Sequence, residues 1–320
     1  MQTNRLGASD LNVSRIGYGC MLIGGSWDDA PLTDSVRRTA IHSVRTALDA
    51  GINFFDHADI YCNGKSEEVF AELWKESPRL RPQIYLQTKC GIRLDPPHRF
   101  DFSYEHIMAS VDASLRRLQT DYVDVVLLHR PDPLVEPEEV ARAFDELYQT
   151  GKVRWFGVSN HTAAQMELLR NFLNQPIVCN QVEFNLIHTH LLDEGIVFNQ
   201  NNPRLTRNEG VIEYCRLHNI TLQAWSPLAG GRLTGKPRQN DDKKHIQEVS
   251  DVVTQMAREK GVSAEAILIA WILRHPARIQ PLPGTTNPER ILAASQAEDV
   301  VLTREEWYRL FVAGRGEKLP

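Results

Sequence analysis

The sequence predicts an α/β fold, a single (β/α)8 TIM barrel forming one domain over residues 1–320, with an N-terminal hairpin and a C-terminal helical extension. Three observations predict it. Eight short β-rich runs alternate with runs of helical period, the pattern of parallel strands joined by helices. No linker rich in Gly, Ser or Pro divides the chain, and a last helical run follows the eighth strand-helix unit. A chain of 320 residues can bury the core that one large barrel needs.

Gly7-Ala8-Ser9-Asp10 is the turn of the hairpin. The strands are expected at Ile16 to Gly19, Asn53 to Asp56, Ile84 to Lys89, Val123 to His129, Val153 to Ser159, Ile177 to Glu183, Thr221 to Trp225 and Ile279 to Leu282. Between them apolar residues recur at helical spacing, as in Val36, Ala40, Ile41, Val44 and Leu48, and again in Ile107, Val111, Leu115 and Leu118. Thr162 with Gln165 and Thr303 with Glu306 have the spacing of capping boxes, and Pro137 and Pro288 suit a first helical position. The last helix is expected over Thr303 to Ala313. Asn185 to Asn208 and Gly230 to Lys244 are longer than ordinary barrel loops. Both follow strands, which puts them on the face where barrel enzymes carry their sites.

A doubly wound dinucleotide fold would want Gly-x-Gly-x-x-Gly after its first strand. Gly17-Tyr18-Gly19 is followed by Cys20, Met21 and Leu22, so the third glycine is missing. Gly64-Lys65-Ser66 resembles the tail of a phosphate loop, but Asp59 stands where its first glycine belongs. The net charge of -5, without a polybasic run, argues against nucleic acid and anionic membrane as partners. The longest apolar runs fall far short of the roughly 20 residues that span a bilayer. Five widely spaced cysteines and an N-terminus without an apolar signal core point to a reducing cytoplasm.

Barrel chemistry sits at the C-terminal strand ends, and the residues there form a set. The second strand runs into Asp56-His57-Ala58-Asp59-Ile60-Tyr61, the third ends in Lys89, and the fourth ends in His129. The fifth ends Ser159-Asn160, the sixth reaches Gln181, and the seventh ends Trp225-Ser226. A tyrosine, with a free pKa of about 10, is a poor acid at neutral pH unless a cation stabilises its phenolate. Lys89 is the expected cation, Asp56 its anchor, and His129 the donor that orients a substrate oxygen. Such a site can protonate an oxyanion as it forms. With no activated Ser or Cys nucleophile, the attacking group must come from outside the protein, and a hydride donor fits.

From Gly17 to the last helix the chain resembles the aldo-keto reductases. Their Asp, Tyr, Lys and His tetrad falls on Asp56, Tyr61, Lys89 and His129, with the first two five residues apart. The resemblance implies reduction of a small-molecule carbonyl by NADP(H). It implies that Ser159, Asn160 and Gln181 hold the nicotinamide carboxamide, that Trp225 lies against the nicotinamide ring, and that Ser226, Pro227 and Leu228 bind the pyrophosphate. Gly19, Cys20, Met21 and Gly230 belong to the same implied cofactor site, as do Gly284, Thr285, Thr286, Asn287 and Arg290. The helix beginning near Pro288 should offer free N–H groups to the 2′-phosphate beside Arg290. Two departures bear on affinity: Gly284-Thr285 replaces the Lys-Ser of many members, and Ala293-Ala294 replaces the Glu-Asn that often follows the arginine. Trp27, after the first strand, is the candidate for the substrate pocket, together with the loop from Arg130 to Pro133, the long 185–208 loop and the C-terminal tail.

Two other functions fit parts of the sequence. A metal-dependent hydrolase would draw ligands from His57, Asp59, His129, His188 and His190, but the alternation of direction along the second strand separates His57 from Asp56, and no metal is expected. A non-catalytic NADP-binding regulatory or redox-sensing subunit would share the fold; the intact tetrad argues for catalysis. The expected assembly is a monomer or a weak homo-oligomer.

Overall fold

The computed structural model describes residues 1–197, 210–234 and 243–320, so the parts of the two long loops at 198–209 and 235–242 lie outside the described residues. Strands β1 (Thr3–Arg5) and β2 (Asn12–Ser14) pair antiparallel as the N-terminal hairpin. The barrel strands are β3 (Tyr18–Gly19), β4 (Phe54–Asp56) and β5 (Tyr85–Cys90). A small antiparallel hairpin, β6 (Ile92–Arg93) with β7 (Arg99–Phe100), follows β5 and had no signal in the sequence. The barrel continues through β8 (Val123–Leu128), β9 (Val153–Ser159), β10 (Ile177–Glu183), β11 (Thr221–Trp225) and β12 (Gln280–Leu282). These eight strands pair in parallel in the order β3-β4-β5-β8-β9-β10-β11-β12. Their bounds fall within two residues of those expected.

The seam between β3 and β12 is stitched from one side only. The N–H groups of Gly17 and Gly19 donate to the carbonyls of Pro281 (3.0 Å) and Pro283 (2.9 Å). A full parallel ladder would need return bonds from residues 281 and 283, and proline nitrogens carry no hydrogen. The seam therefore closes the barrel through these bonds without a ladder.

Two cores result. The larger lies between the strands and the surrounding helices; a smaller one fills the barrel with Phe54, Val125, Leu127, Cys179 and Leu282. Leu6, Leu11 and Val13 of the hairpin close its lower end. The helices start as their sequences dictate. Thr33 caps Asp34–Asp49, Ser103 caps Tyr104–Leu118, and both capping boxes form, at Thr162 with Gln165 and at Thr303 with Glu306. The helix Tyr104–Leu118 buries Ile107, Val111, Leu115 and Leu118. The C-terminal helix runs from Arg304 to Arg315. No helix among the described residues is long and apolar enough to cross a membrane.

Candidate active site

The alternation of a strand aims Phe54 and Asp56 inward, and likewise Gln87 and Lys89, so charged residues near the strand ends enter the barrel mouth. Lys89 is completely buried. Its ammonium lies 2.8 Å from the Asp56 carboxylate, donates to the His57 carbonyl at 2.8 Å and donates to the Tyr61 hydroxyl at 2.9 Å. Those three bonds use its three protons. Burial works against the ammonium, but Asp56 and Tyr61 outweigh it and keep the Lys89 pKa above the ordinary lysine value.

Tyr61 starts a tight turn, Tyr61–Gly64, that breaks from the strand end into the helix Lys65–Phe70. Cys62, Asn63 and Gly64 are all left-handed, with φ of 49°, 56° and 87°. At Gly64 a Cβ would also sit 2.8 Å from Arg117 Cδ, so the turn that points Tyr61 inward needs glycine there. The acidity expected of Tyr61 is corrected by its surroundings. Burial raises its pKa above the usual phenol value, and Lys89 opposes that rise without cancelling it. The phenol therefore stays protonated through neutral pH, the state a proton donor requires.

His129 follows β8, its ring edge-on to Tyr61 with centroids 6.0 Å apart. Burial, then Lys89 and Arg130, hold its pKa well below the ordinary value, so the ring is neutral. Its Nδ1 is buried without a partner. Trp27, 46% exposed, presents its ring edge-on to Tyr61 at 6.5 Å. Lys89 therefore touches the Tyr61 hydroxyl with Asp56 behind it, and His129 and Trp27 pack edge-on around the Tyr61 ring.

His57 and Asp59 alternate away from the mouth. His57 packs edge-on against Phe70 at 4.7 Å, and burial, then Lys89, lowers its pKa to about 3. Asp59 is raised to about 7 by burial, with Glu67 adding to the rise. After β10, His188 and His190, the latter the first residue of the helix His190–Ile196, lie edge-on with ring centroids 4.5 Å apart.

A layer of glutamines lies beneath Asp56, and of its four members only Gln181 stood out in the sequence, as a holder of the carboxamide. Gln87 donates to Asp56 Oδ1 at 2.7 Å and to Gln223 Oε1 at 2.9 Å. Gln181 donates to the same two oxygens at 3.0 and 3.2 Å. Gln223 donates onward to Gln280 Oε1 at 2.9 Å, and Gln280 donates to the Ser14 carbonyl at 2.8 Å. All four amides are buried. The available signal was period-2 spacing: Gln87 two residues before Lys89, and Gln223 two before Trp225, share an inward face with them.

The residues assigned to the nicotinamide side cluster beside the tetrad. Asn160, left-handed at φ 61°, donates to Ser159 Oγ at 2.7 Å and accepts from Trp225 Nε1 at 3.0 Å. The Arg130 guanidinium lies over the Trp225 ring at 5.5 Å. Gln181 spends both amide protons below, which leaves its Oε1 to accept from a ligand. Ser226 is left-handed at φ 51° and opens the turn containing Pro227, Leu228 and Gly230. Cys20 donates its N–H to the Asp56 carbonyl at 2.8 Å, and Gly19 and Met21 flank it on the rim.

The far cofactor segment departs from expectation in one respect. The helix Pro288–Ser295 starts as foreseen, but Asn287 Oδ1 caps the Arg290 N–H, Ile291 N–H is bonded to the Asn287 carbonyl, and Pro288 has none to offer. Few N–H groups remain free. Thr285 is also engaged, its carbonyl by the Tyr18 hydroxyl at 2.9 Å and its Oγ1 by Asn287 N–H at 3.2 Å. Thr286 and the Arg290 guanidinium are what can meet an anion; Arg290 Nε lies 3.5 Å from Glu265, and its Nη1 3.7 Å from where a Cβ on Gly231 would be. Gly284 has a steric cause, since a Cβ there would come within 3.0 Å of the Gly19 carbonyl across the seam.

Comparison with known proteins bears on the whole chain. A model of the Aldo/keto reductase family matches residues 15–311. The chain is 37% identical to the uncharacterized oxidoreductase YcsN of Bacillus subtilis over 323 residues, covering 98% of each. It is 35% identical to the 6-dehydroglucose reductase of Agrobacterium fabrum, covering 98% of this chain and 99% of that one. Among solved structures it is similar to the glycerol dehydrogenase from Gluconobacter oxydans, with a TM-score of 0.79, 26% identity, and 98% and 94% of the two chains covered.

Proposed function

Because this chain belongs to the aldo/keto reductase family of oxidoreductases, we propose that it reduces aldehyde or ketone carbonyls with NADPH, as one catalytic domain, with Tyr61 as proton donor. The observation that carries this reading is the buried Lys89 ammonium, whose three protons go to Asp56, the His57 carbonyl and the Tyr61 hydroxyl.

NADPH, when bound, supplies the hydride that reduces the carbonyl carbon. Tyr61 gives its phenolic proton to the carbonyl oxygen. As the phenolate forms, the Lys89 ammonium 2.9 Å away offsets the charge; a fixed cation needs no reorganisation at that moment. Asp56 and the His57 carbonyl keep the ammonium in place. Neutral His129 donates a hydrogen bond that orients the substrate oxygen, and Trp27 flanks the substrate. Ser159, Asn160 and Gln181 hold the carboxamide, Trp225 the ring face, and Ser226 to Leu228 with Gly230 the pyrophosphate, while Gly19, Cys20 and Met21 floor the site. Arg290, with Thr286, reads the 2′-phosphate, while Gly284, Thr285 and Asn287 form the turn that presents them.

The relatives named for 6-dehydroglucose and glycerol make hydroxylated carbonyl compounds the first substrates to assay. NADPH oxidation against a panel of such aldehydes and ketones should show turnover that survives dialysis against a chelator. Failure of every carbonyl to oxidise bound NADPH, even in a single turnover, would leave a non-catalytic subunit as the better reading.

A further inference from the structure

The opposite end of the barrel holds a second concave site. A cavity of about 370 Å³ opens between the N-terminal hairpin and the starts of β11 and β12. That volume is within the range of small-ligand pockets, roughly 300–1,000 Å³. Four arginines line it, Arg5, Arg15, Arg216 and Arg278, with Gln280 below them. Among its described lining residues there is no Asp or Glu. In a chain with 41 acidic and 36 basic residues, four guanidinium groups without one carboxylate is a marked local imbalance.

What partners these arginines have are neutral. Arg5 donates to the carbonyls of Ser9 and Ala8, and Arg15 donates to Gln2 Oε1 at 3.2 Å. Arg216 and Arg278 are exposed and bond to no other described side chain; His275 lies near Arg216, and Glu213, one helical turn before Arg216 and outside the lining, is the nearby carboxylate. Arg278 is in addition held at φ 53°, a left-handed conformation in which glycine or asparagine would sit more easily. The fold thus keeps a charged side chain at a backbone position that disfavours it, on the rim of a cavity that already repels cations.

We propose that this cavity binds a small polyanion, a molecule carrying two or more phosphate or carboxylate groups, through Arg216 and Arg278 with Arg15 beside them. Guanidinium groups match both oxyanions through paired N–H donors. The site lies at the end of the barrel away from Tyr61 and is separate from the cofactor residues.

The test is calorimetric titration of the full chain at low ionic strength, saturated with NADPH so that the cofactor's own phosphate sites are filled, using pyrophosphate and citrate as probes. At least one should bind saturably, weaken with added salt, and lose about 10- to 150-fold in affinity in Arg216→Gln/Arg278→Gly, the range for losing charge-assisted bonds. Which probe binds more tightly tells phosphate from carboxylate. Arg278→Gly removes the left-handed penalty, so it should keep or raise the Tm, and carbonyl reduction should be unchanged in both variants. Absence of saturable binding by either probe, or equal binding by the double variant, overturns the proposal. A Tm lowered by Arg278→Gly would assign that arginine to the fold instead.

Discussion

At the scale of single residues, two side chains carry separable tests. Asp59 has a pKa raised to about 7 in the folded protein, by burial and then by Glu67, against roughly 4 when unfolded. The sign follows from linkage: the unfolded chain loses this proton first, so ionisation of Asp59 destabilises the fold progressively from about pH 4 to pH 7 and fully above. Asp59→Asn should therefore stabilise the protein by about 1–4 kcal/mol at pH 8, with the gain disappearing near pH 4. Denaturant unfolding at the two pH values checks it, and a gain independent of pH would mean the carboxyl is not held protonated. Arg290 bears on the cofactor. A hydrogen bond to a charged group contributes about 1.5–3 kcal/mol, so Arg290→Ala should weaken NADPH binding roughly 10- to 150-fold and NADH binding far less. Equal losses for the two would show that Arg290 does not read the 2′-phosphate. With Gly284 in place of the usual lysine, the wild-type preference should be modest.

Secondary-structure elements show what could be read from the sequence. Asp56, Lys89 and His129, within one residue of the ends of β4, β5 and β8, were legible because those β-rich runs are bounded by turns and their polar ends stand out. The glutamine layer was not legible, because an amide within a strand is ordinary until four strands are known to bring theirs to one level. Gln87, Gln181 and Gln223 come from β5, β10 and β11, and only the closed sheet puts them under Asp56. The burial that raises the Tyr61 pKa likewise depends on packing from several elements. The layer has a measurable consequence. Gln87→Glu places a second carboxyl against Asp56 Oδ1, and two such groups cannot both ionise. The variant should lose roughly tenfold or more in turnover at pH 8, and its rate relative to wild type should climb as pH falls and the introduced carboxyl, once protonated, donates again. NADPH affinity should change little. A rate ratio flat between pH 6 and pH 8 would show that the layer does not position Asp56.

Across the whole molecule, the barrel separates stability from chemistry along its axis. The hairpin residues Leu6, Leu11 and Val13 and the apolar layer above them close the lower end, whereas Asp56, Tyr61, Lys89 and His129 meet at the mouth. The proline seam could be foreseen only in part: Pro281 and Pro283 are plain in the sequence, but that they face Gly17 and Gly19 depends on closure. The central claim is that this arrangement serves to deliver one proton from Tyr61. Single-turnover oxidation of bound NADPH by a reactive aldehyde, in wild type and Tyr61→Phe, tests it most directly. Removing the hydroxyl while keeping the ring should slow the oxidation by at least ~10²-fold and leave NADPH affinity nearly unchanged. A Tyr61→Phe protein that oxidises its NADPH at most of the wild-type rate would contradict the account.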